Sequence, residues 1–155
     1  MKSPSTIKAN AAPARTGSRY PAPYNAPCMD RSKFLLGDVF GLTQFGVNLA
    51  TLNPGTWSSQ RHWHEKEDEF VYVTEGMITL CDDDGEQILT PGMCAGFKAN
   101  SGNGHCLKNL SDKPATYIEI GSRIPNEKVV YSDIDMMTEN SSGKYVYNKK
   151  DGTPY

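Results

Sequence analysis

His62-Trp63-His64-Glu65-Lys66-Glu67-Asp68-Glu69-Phe70-Val71-Tyr72-Val73-Thr74-Glu75-Gly76 reads as two strands with a corner between them. Alternate side chains of a strand share a face, so His62 and His64 point to the same side. Four residues turn the corner, and Glu69 re-enters on a segment, Glu69 to Thr74, rich in aromatic and β-branched residues. Gly76 then closes a tight turn, where a residue without Cβ takes a positive φ at no steric cost.

The same texture continues outward. Phe45, Val47 and Leu49 alternate in an earlier strand that begins near Thr43. Downstream, Met77 to Cys81, Glu86 to Leu89, Met93 to Phe97, His105 to Leu110 and Ala115 to Ser122 are short strands. Asp82-Asp83-Asp84-Gly85, Thr90-Pro91-Gly92, Ser101-Gly102-Asn103-Gly104 and Ser111-Asp112-Lys113-Pro114 separate them as turns and loops. No segment sustains a 3.6-residue period beyond about two turns. Many short strands at roughly eight- to twelve-residue spacing predict an all-β sandwich or barrel. Val129 to Tyr131 is expected as a short strand, Asp133 to Glu139 as one helical turn, and Lys144 to Tyr147 as an edge strand.

The chain has only three histidines, and the third, His105, opens one of these strands. Three neutral imidazoles and a carboxylate suit a borderline divalent metal such as Fe, Mn, Ni, Zn or Cu. Bound octahedrally, such an ion keeps two positions for water or substrate.

The spacing Gly55-(six residues)-His62-Trp63-His64-(four)-Glu69-(six)-Gly76 resembles the first signature of the cupin superfamily, one residue longer before the first histidine. Gly92-(five)-Lys98-Ala99-Asn100-(four)-His105-(three)-Asn109 resembles the second, with Lys98 where Pro is usual, Asn100 where Gly is usual, and a loop two residues longer. The signatures span about a third of the chain, and the surrounding strands extend the likeness to about residues 33–123. The resemblance implies a double-stranded β-helix, or jelly-roll barrel, holding one divalent ion (Fe, Mn, Zn or Ni) on His62, His64, Glu69 and His105.

Strand parity from His62 and His64 turns Ser58 and Gln60 inward and Arg61 and Trp63 outward. Val71 and Val73 follow Glu69 inward, Leu107 follows His105, and Tyr117 and Glu119 face the cavity from the last strand. Gln44 is a candidate for the pocket mouth. Gln60 is the best substrate contact, and Lys98 on the mouth loop is a cation for an acidic substrate; these two are the candidate catalytic residues. Asn109 is placed to support the strand of His105.

The chain of 155 residues fits one domain: an extended Pro-rich arm over residues 1–27, a barrel over 28–135, and a tail over 136–155 packing on it. Tyr20 and Tyr24 in the arm are expected to pack on the barrel or on a partner's sheet edge, and a homodimer is expected. A formal charge of −2 and the lack of any basic run argue against nucleic-acid binding. No stretch approaches the roughly 18 apolar residues of a membrane span, and no secretory leader is evident. Reduced, buried cysteines in a cytoplasmic protein are therefore expected for Cys28, Cys81, Cys94 and Cys106. The implied function is a metal-dependent cupin acting on a small oxygenated acid or sugar-type molecule, as a dioxygenase, isomerase, epimerase or lyase. The alternatives are a non-catalytic metal-containing binding or sensor domain, and a barrel whose metal is structural.

Overall fold

The computed structural model describes residues 4–141 and 144–155. In chain order the strands are β1 (Ala14–Thr16), β2 (Arg31–Leu35), β3 (Phe45–Leu52), β4 (His62–His64), β5 (Glu69–Glu75), β6 (Ile78–Asp82) and β7 (Gly85–Leu89). They continue as β8 (Cys94–Phe97), β9 (Cys106–Lys108), β10 (Ala115–Ser122), β11 (Lys128–Tyr131), β12 (Met137–Ser141) and β13 (Lys144–Asn148). One helical turn, α1 (Leu36–Val39), links β2 to β3.

Six strands form an antiparallel sheet in the order β1-β2-β3-β10-β5-β8. Facing it are a four-stranded sheet, β13-β12-β11-β4, and a three-stranded one, β7-β6-β9. A two-way backbone bridge joins these smaller sheets: the His62 amide donates to the His105 carbonyl at 3.1 Å, and the His105 amide returns the bond at 2.8 Å. Two of the three histidines thus meet where the halves of this face are sewn together. The arrangement is the jelly-roll sandwich that the strand pattern implies.

The inner face of the large sheet changes character along its length. On β10 the inward residues are Ala115, Tyr117, Glu119 and Gly121. Their partners are Leu52, Ala50, Asn48 and Gly46 on β3, and for the last three Val73, Val71 and Glu69 on β5. The first two rungs close a core in which Leu52, Val73, Ala115 and Tyr117 pack against Ile78, Leu80, Leu89 and Leu107. Burying apolar side chains of this size contributes about 1.5–3 kcal/mol each. At the last rung Gly121 on β10 stands beside Glu69 and Gly46 on β3 comes next across the sheet, so no side chain fills the sandwich on that side.

β1 and β2 lie outside the expected strands. The N-terminal arm is not a free extended segment, because Ala14–Thr16 pairs with Ser32 to Phe34 and covers the edge of its own sheet. Tyr20 packs edge-on against Tyr131 and Tyr147, and Tyr24 against Tyr155, so the arm's tyrosines lie on their own chain. The helical turn expected over 133–139 is replaced by β12, whose Met137 pairs with Val130. Buried Met136 and Thr138 and the open edge of β11 outweigh the local tendency. Lys144 to Tyr147 does form an edge strand. All four cysteines are free; Cys94, contrary to expectation, is exposed. Burial pushes the thiols of Cys28 and Cys106 up to about 11 and about 12. Among the described residues no helix is long and apolar enough to cross a membrane.

Gly76 takes φ +73°, and a Cβ there would lie 2.6 Å from the Pro114 carbonyl oxygen and 2.8 Å from Ala115 Cα. Left-handed strain and overpacking against main chain each cost about 1–3 kcal/mol. Gly76→Ala is accordingly expected to lower stability by about 2–6 kcal/mol, read as a lower urea midpoint at unchanged slope.

Candidate metal centre

β4 contributes His62 and His64, β5 begins with Glu69, and His105 immediately precedes β9. Their side chains converge: the Nε2 atoms of His62, His64 and His105 lie 3.5, 3.3 and 2.8 Å from one atom, Glu69 Oε2. Ligand atoms of His62, Glu69 and His105 all fall within 4.8 Å of one another. Yet Glu69 Oε2 is buried and takes part in no aligned hydrogen bond.

The second ring nitrogens set what faces the cluster. His62 Nδ1 is 2.9 Å from the Gln60 carbonyl oxygen. A carbonyl only accepts, so the proton sits on Nδ1 and the Nε2 lone pair points at the centre. His64 Nδ1 faces two carboxylates, Glu127 Oε1 at 3.5 Å and Glu67 Oε2 at 3.6 Å, which favour the same tautomer. His105 lies flat on the Phe97 ring, the centroids 3.5 Å apart.

Electrostatics pull these groups apart. Burial pushes Glu69 up, but the three imidazoles outweigh it and hold its carboxyl well below the usual range. Burial also opposes charge on His64, while Glu69, Glu67 and Glu127 hold it above its ordinary value. For His105 burial prevails, aided by His62 and His64, and its imidazole is held low. Glu67 is raised by burial and by its carboxylate neighbours Glu127 and Glu69. Several lone pairs and one negative charge thus crowd a single buried point. That donor set suits a divalent cation of the borderline kind.

These side chains line the floor of an open cavity of about 1060 Å³. Its walls include the arm, β2 and the C-terminal hairpin, and no residue of the 98–104 loop lines it. Lys98 is exposed just after β8 and does not line this cavity; it borders a smaller pocket with His64, Glu69 and His105. Gln60 is outside the main cavity too: its side-chain nitrogen donates to the Tyr24 carbonyl at 2.8 Å, pinning the arm. Parity fails for Gln60 because the chain bends through 58–61 and only His62–His64 is strand. The 98–104 loop is tied down rather than gate-like. Asn103 accepts the Asp83 amide, and Gly104 is packed so closely that a Cβ would strike Ser132. Arg61 faces outward as expected, paired with Asp83 and Asp133. Asn109 is fully buried and ties the 110–114 turn, donating to the Leu52 and Lys113 carbonyls.

The family described as "Cupin domain" matches residues 48–121. A sugar phosphate isomerase of the cupin superfamily from Silicibacter pomeroyi is 46% identical over 97% of this chain and 96% of its own, with a TM-score of 0.93. This chain is a member of the cupin superfamily. A protein from Acidithiobacillus ferrooxidans assigned as a sugar phosphate isomerase is 26% identical over 81% of this cupin and 80% of its own chain, with a TM-score of 0.73. The polyketide cyclase RemF of Streptomyces resistomycificus, 16% identical over 77% of this chain and 79% of its own, shares the fold at a TM-score of 0.64. No curated protein matches the chain.

The cavity also holds residues that the sequence did not single out. Arg31 and Lys33 on β2, and Arg15 opposite Lys33 on β1, share the inner face. The spacing Arg31-Ser32-Lys33 carries the strand signal, but the segment is too short and too polar to read as one alone. Asn48 follows from the parity of Gln44. Glu127 beside His64 has no local signature.

Gln60→Ala removes the donor to Tyr24 and leaves the main-chain bond to His62 intact. We expect about 1 kcal/mol lower stability in denaturant unfolding and faster proteolysis of the arm. Metal affinity should be unchanged in calorimetric titration.

Proposed function

We propose that this cupin is a metal-dependent isomerase acting on a small phosphorylated sugar. The observation that carries the reading is the convergence of three imidazole nitrogens on Glu69 Oε2 at the floor of a cavity walled by unneutralised cations. Among the described residues Arg15, Arg19 and Arg31 have no carboxylate partner, and all three line the cavity. Arg31 donates instead to the backbone carbonyls of Gly17 and Ser58. Arg19 lies over the Tyr145 ring, 5.7 Å from its centroid. Guanidinium groups in this state favour a phosphate dianion. Similarity to the Silicibacter pomeroyi isomerase over nearly the whole chain supports the same class.

In this reading His62, His64, Glu69 and His105 hold a divalent ion, which supplies Lewis-acid polarisation of a hydroxy-carbonyl group. The chain's own residues do the rest. Gln60 O, Glu67 and Glu127 fix the tautomers that aim Nε2 inward, and Phe97 holds the His105 ring. The arm cations take the phosphate and leave the sugar's oxygenated end toward the floor. Burial holds the phenols of Tyr117 and Tyr131 well above the ordinary value, so they stay protonated and serve as hydrogen-bond donors.

Protein purified from its own host is expected to carry about one divalent ion per chain by elemental analysis and to interconvert an aldose phosphate with its ketose. His64→Ala should lose both and keep its β-type circular dichroism. Because imidazoles must be neutral to ligate, metal affinity should fall as pH drops through about 6.5. Full metal content in His64→Ala would refute the ligand set. Metal-loaded protein inactive on every sugar phosphate of three to six carbons would refute the isomerase.

A further inference from the structure

When an aldose and a ketose interconvert through an enediol, a base moves one proton between neighbouring carbons. Four carboxylates line the cavity: Asp38, Glu67, Glu69 and Glu119. Asp38 is at the mouth, 2.5 Å from an Arg123 nitrogen. Glu67 accepts the Ile124 amide and turns its other oxygen to His64 Nδ1, behind the imidazole. Glu69 is enclosed by the three histidines. Glu119 alone faces the open space with an oxygen to spare.

The sheet builds that position. Glu119 lies on the inner face of β10, one inward residue before Gly121, the cross-strand partner of Glu69. Glu119 and Glu69 are therefore diagonal neighbours, on the order of 7–8 Å apart for such pairs. Gly121 and Gly46 put no side chain in the space beside Glu69. Lys33 Nζ at 2.6 Å and Asn48 Nδ2 at 2.8 Å both donate to Glu119 Oε1. Oε2 keeps only the Tyr117 hydroxyl, at 3.5 Å. One oxygen is clamped by two donors from β2 and β3, and the side chain, whose other oxygen meets only the Tyr117 hydroxyl, lines the cavity.

Resting on the isomerase reading above, we infer that Glu119 is the catalytic base, with Lys33 and Asn48 as its positioning residues. Glu119 Oε2 takes the proton from the carbon bearing the hydroxyl. The C–H electron pair becomes the C=C bond of an enediolate, and the carbonyl π pair moves onto its oxygen. The carboxylic acid so formed returns the proton to the neighbouring carbon, while the hydroxyl proton passes from the old alcohol oxygen to the old carbonyl oxygen. Substrate and product have the same atoms and oxidation level overall, and the carboxylate is regenerated.

The test is exchange of substrate carbon-bound hydrogen with D₂O, followed by NMR, using metal-loaded full-length protein and aldose and ketose phosphates of three to six carbons. Wild type is expected to exchange the hydrogen of at least one pair. Glu119→Gln should lose about 10²–10⁴-fold in exchange rate. It should keep its metal content, and bind the same sugar phosphate within threefold by calorimetry. Exchange surviving in Glu119→Gln overturns the assignment and leaves the isomerase standing. Loss of sugar-phosphate affinity and melting temperature in step with exchange also overturns it, since that marks a merely structural ion pair. Interconversion by wild type without exchange overturns the base and leaves the isomerase, because a hydride shift exchanges no proton; no interconversion of any probe overturns the isomerase reading itself. Should Glu119→Gln not fold, Glu119→Asp withdraws the carboxylate by one methylene. A slowed exchange at unchanged affinity then supports the base, and an unchanged rate overturns it.

Discussion

Everything at this site depends on four donor atoms being forced onto one buried point. Three imidazole nitrogens face a single carboxylate oxygen within 3.5 Å, and that oxygen takes part in no aligned hydrogen bond. Behind the centre, His64 Nδ1 has only the carboxylates of Glu127 and Glu67 at 3.5 and 3.6 Å, with no aligned hydrogen bond, and His105 Nδ1 is buried without a hydrogen bond. Leaving such groups unsatisfied costs about 1–3 kcal/mol apiece. The backbone does not let the cluster relax, because His62 and His105 are paired main chain to main chain across the join of two sheets. A cation at the centre would turn this repulsion among lone pairs into coordination.

The rest of the barrel can be read as the support for that point. The rungs around Leu52, Val73, Ala115 and Tyr117 form a dry core that makes the sandwich rigid. On the next rung the same inner face carries Asn48 and Glu119, and on the rung after that Gly46 and Gly121 in line with Glu69. Solid packing at one end and missing side chains at the other leave a cavity without weakening the sheet. Its far wall is closed by the N-terminal arm and β2, which supply Arg15, Arg19, Arg31 and Lys33. A floor rich in neutral donors and a wall of cations suit a ligand with an oxygenated end and an anionic end.

The core of this account was legible in the sequence because it depends on local periodicity. One residue between His62 and His64 places both on one strand face, and Val71, Val73, Leu107, Tyr117 and Glu119 fall inward by the same two-residue rule. The rule stops where the strand stops. Bends at 58–61 carry Gln60 away to the arm, and Lys98 follows the end of β8 outside the main cavity. β12 was hidden for another reason: its hydrogen-bond partners are on β11, not in its own neighbourhood. The cationic wall depends on β1 pairing with β2 across a Pro-rich stretch that resembles a loose arm. Pairings of that kind come from tertiary packing, and no short window of sequence contains them.

X-ray absorption spectroscopy on the full-length protein loaded with one equivalent of Mn(II) or Fe(II) tests the central claim most directly. The account predicts outer-shell scattering from three imidazole rings and a first shell otherwise made of oxygen, Glu69 among it. A spectrum with one imidazole or none would contradict it.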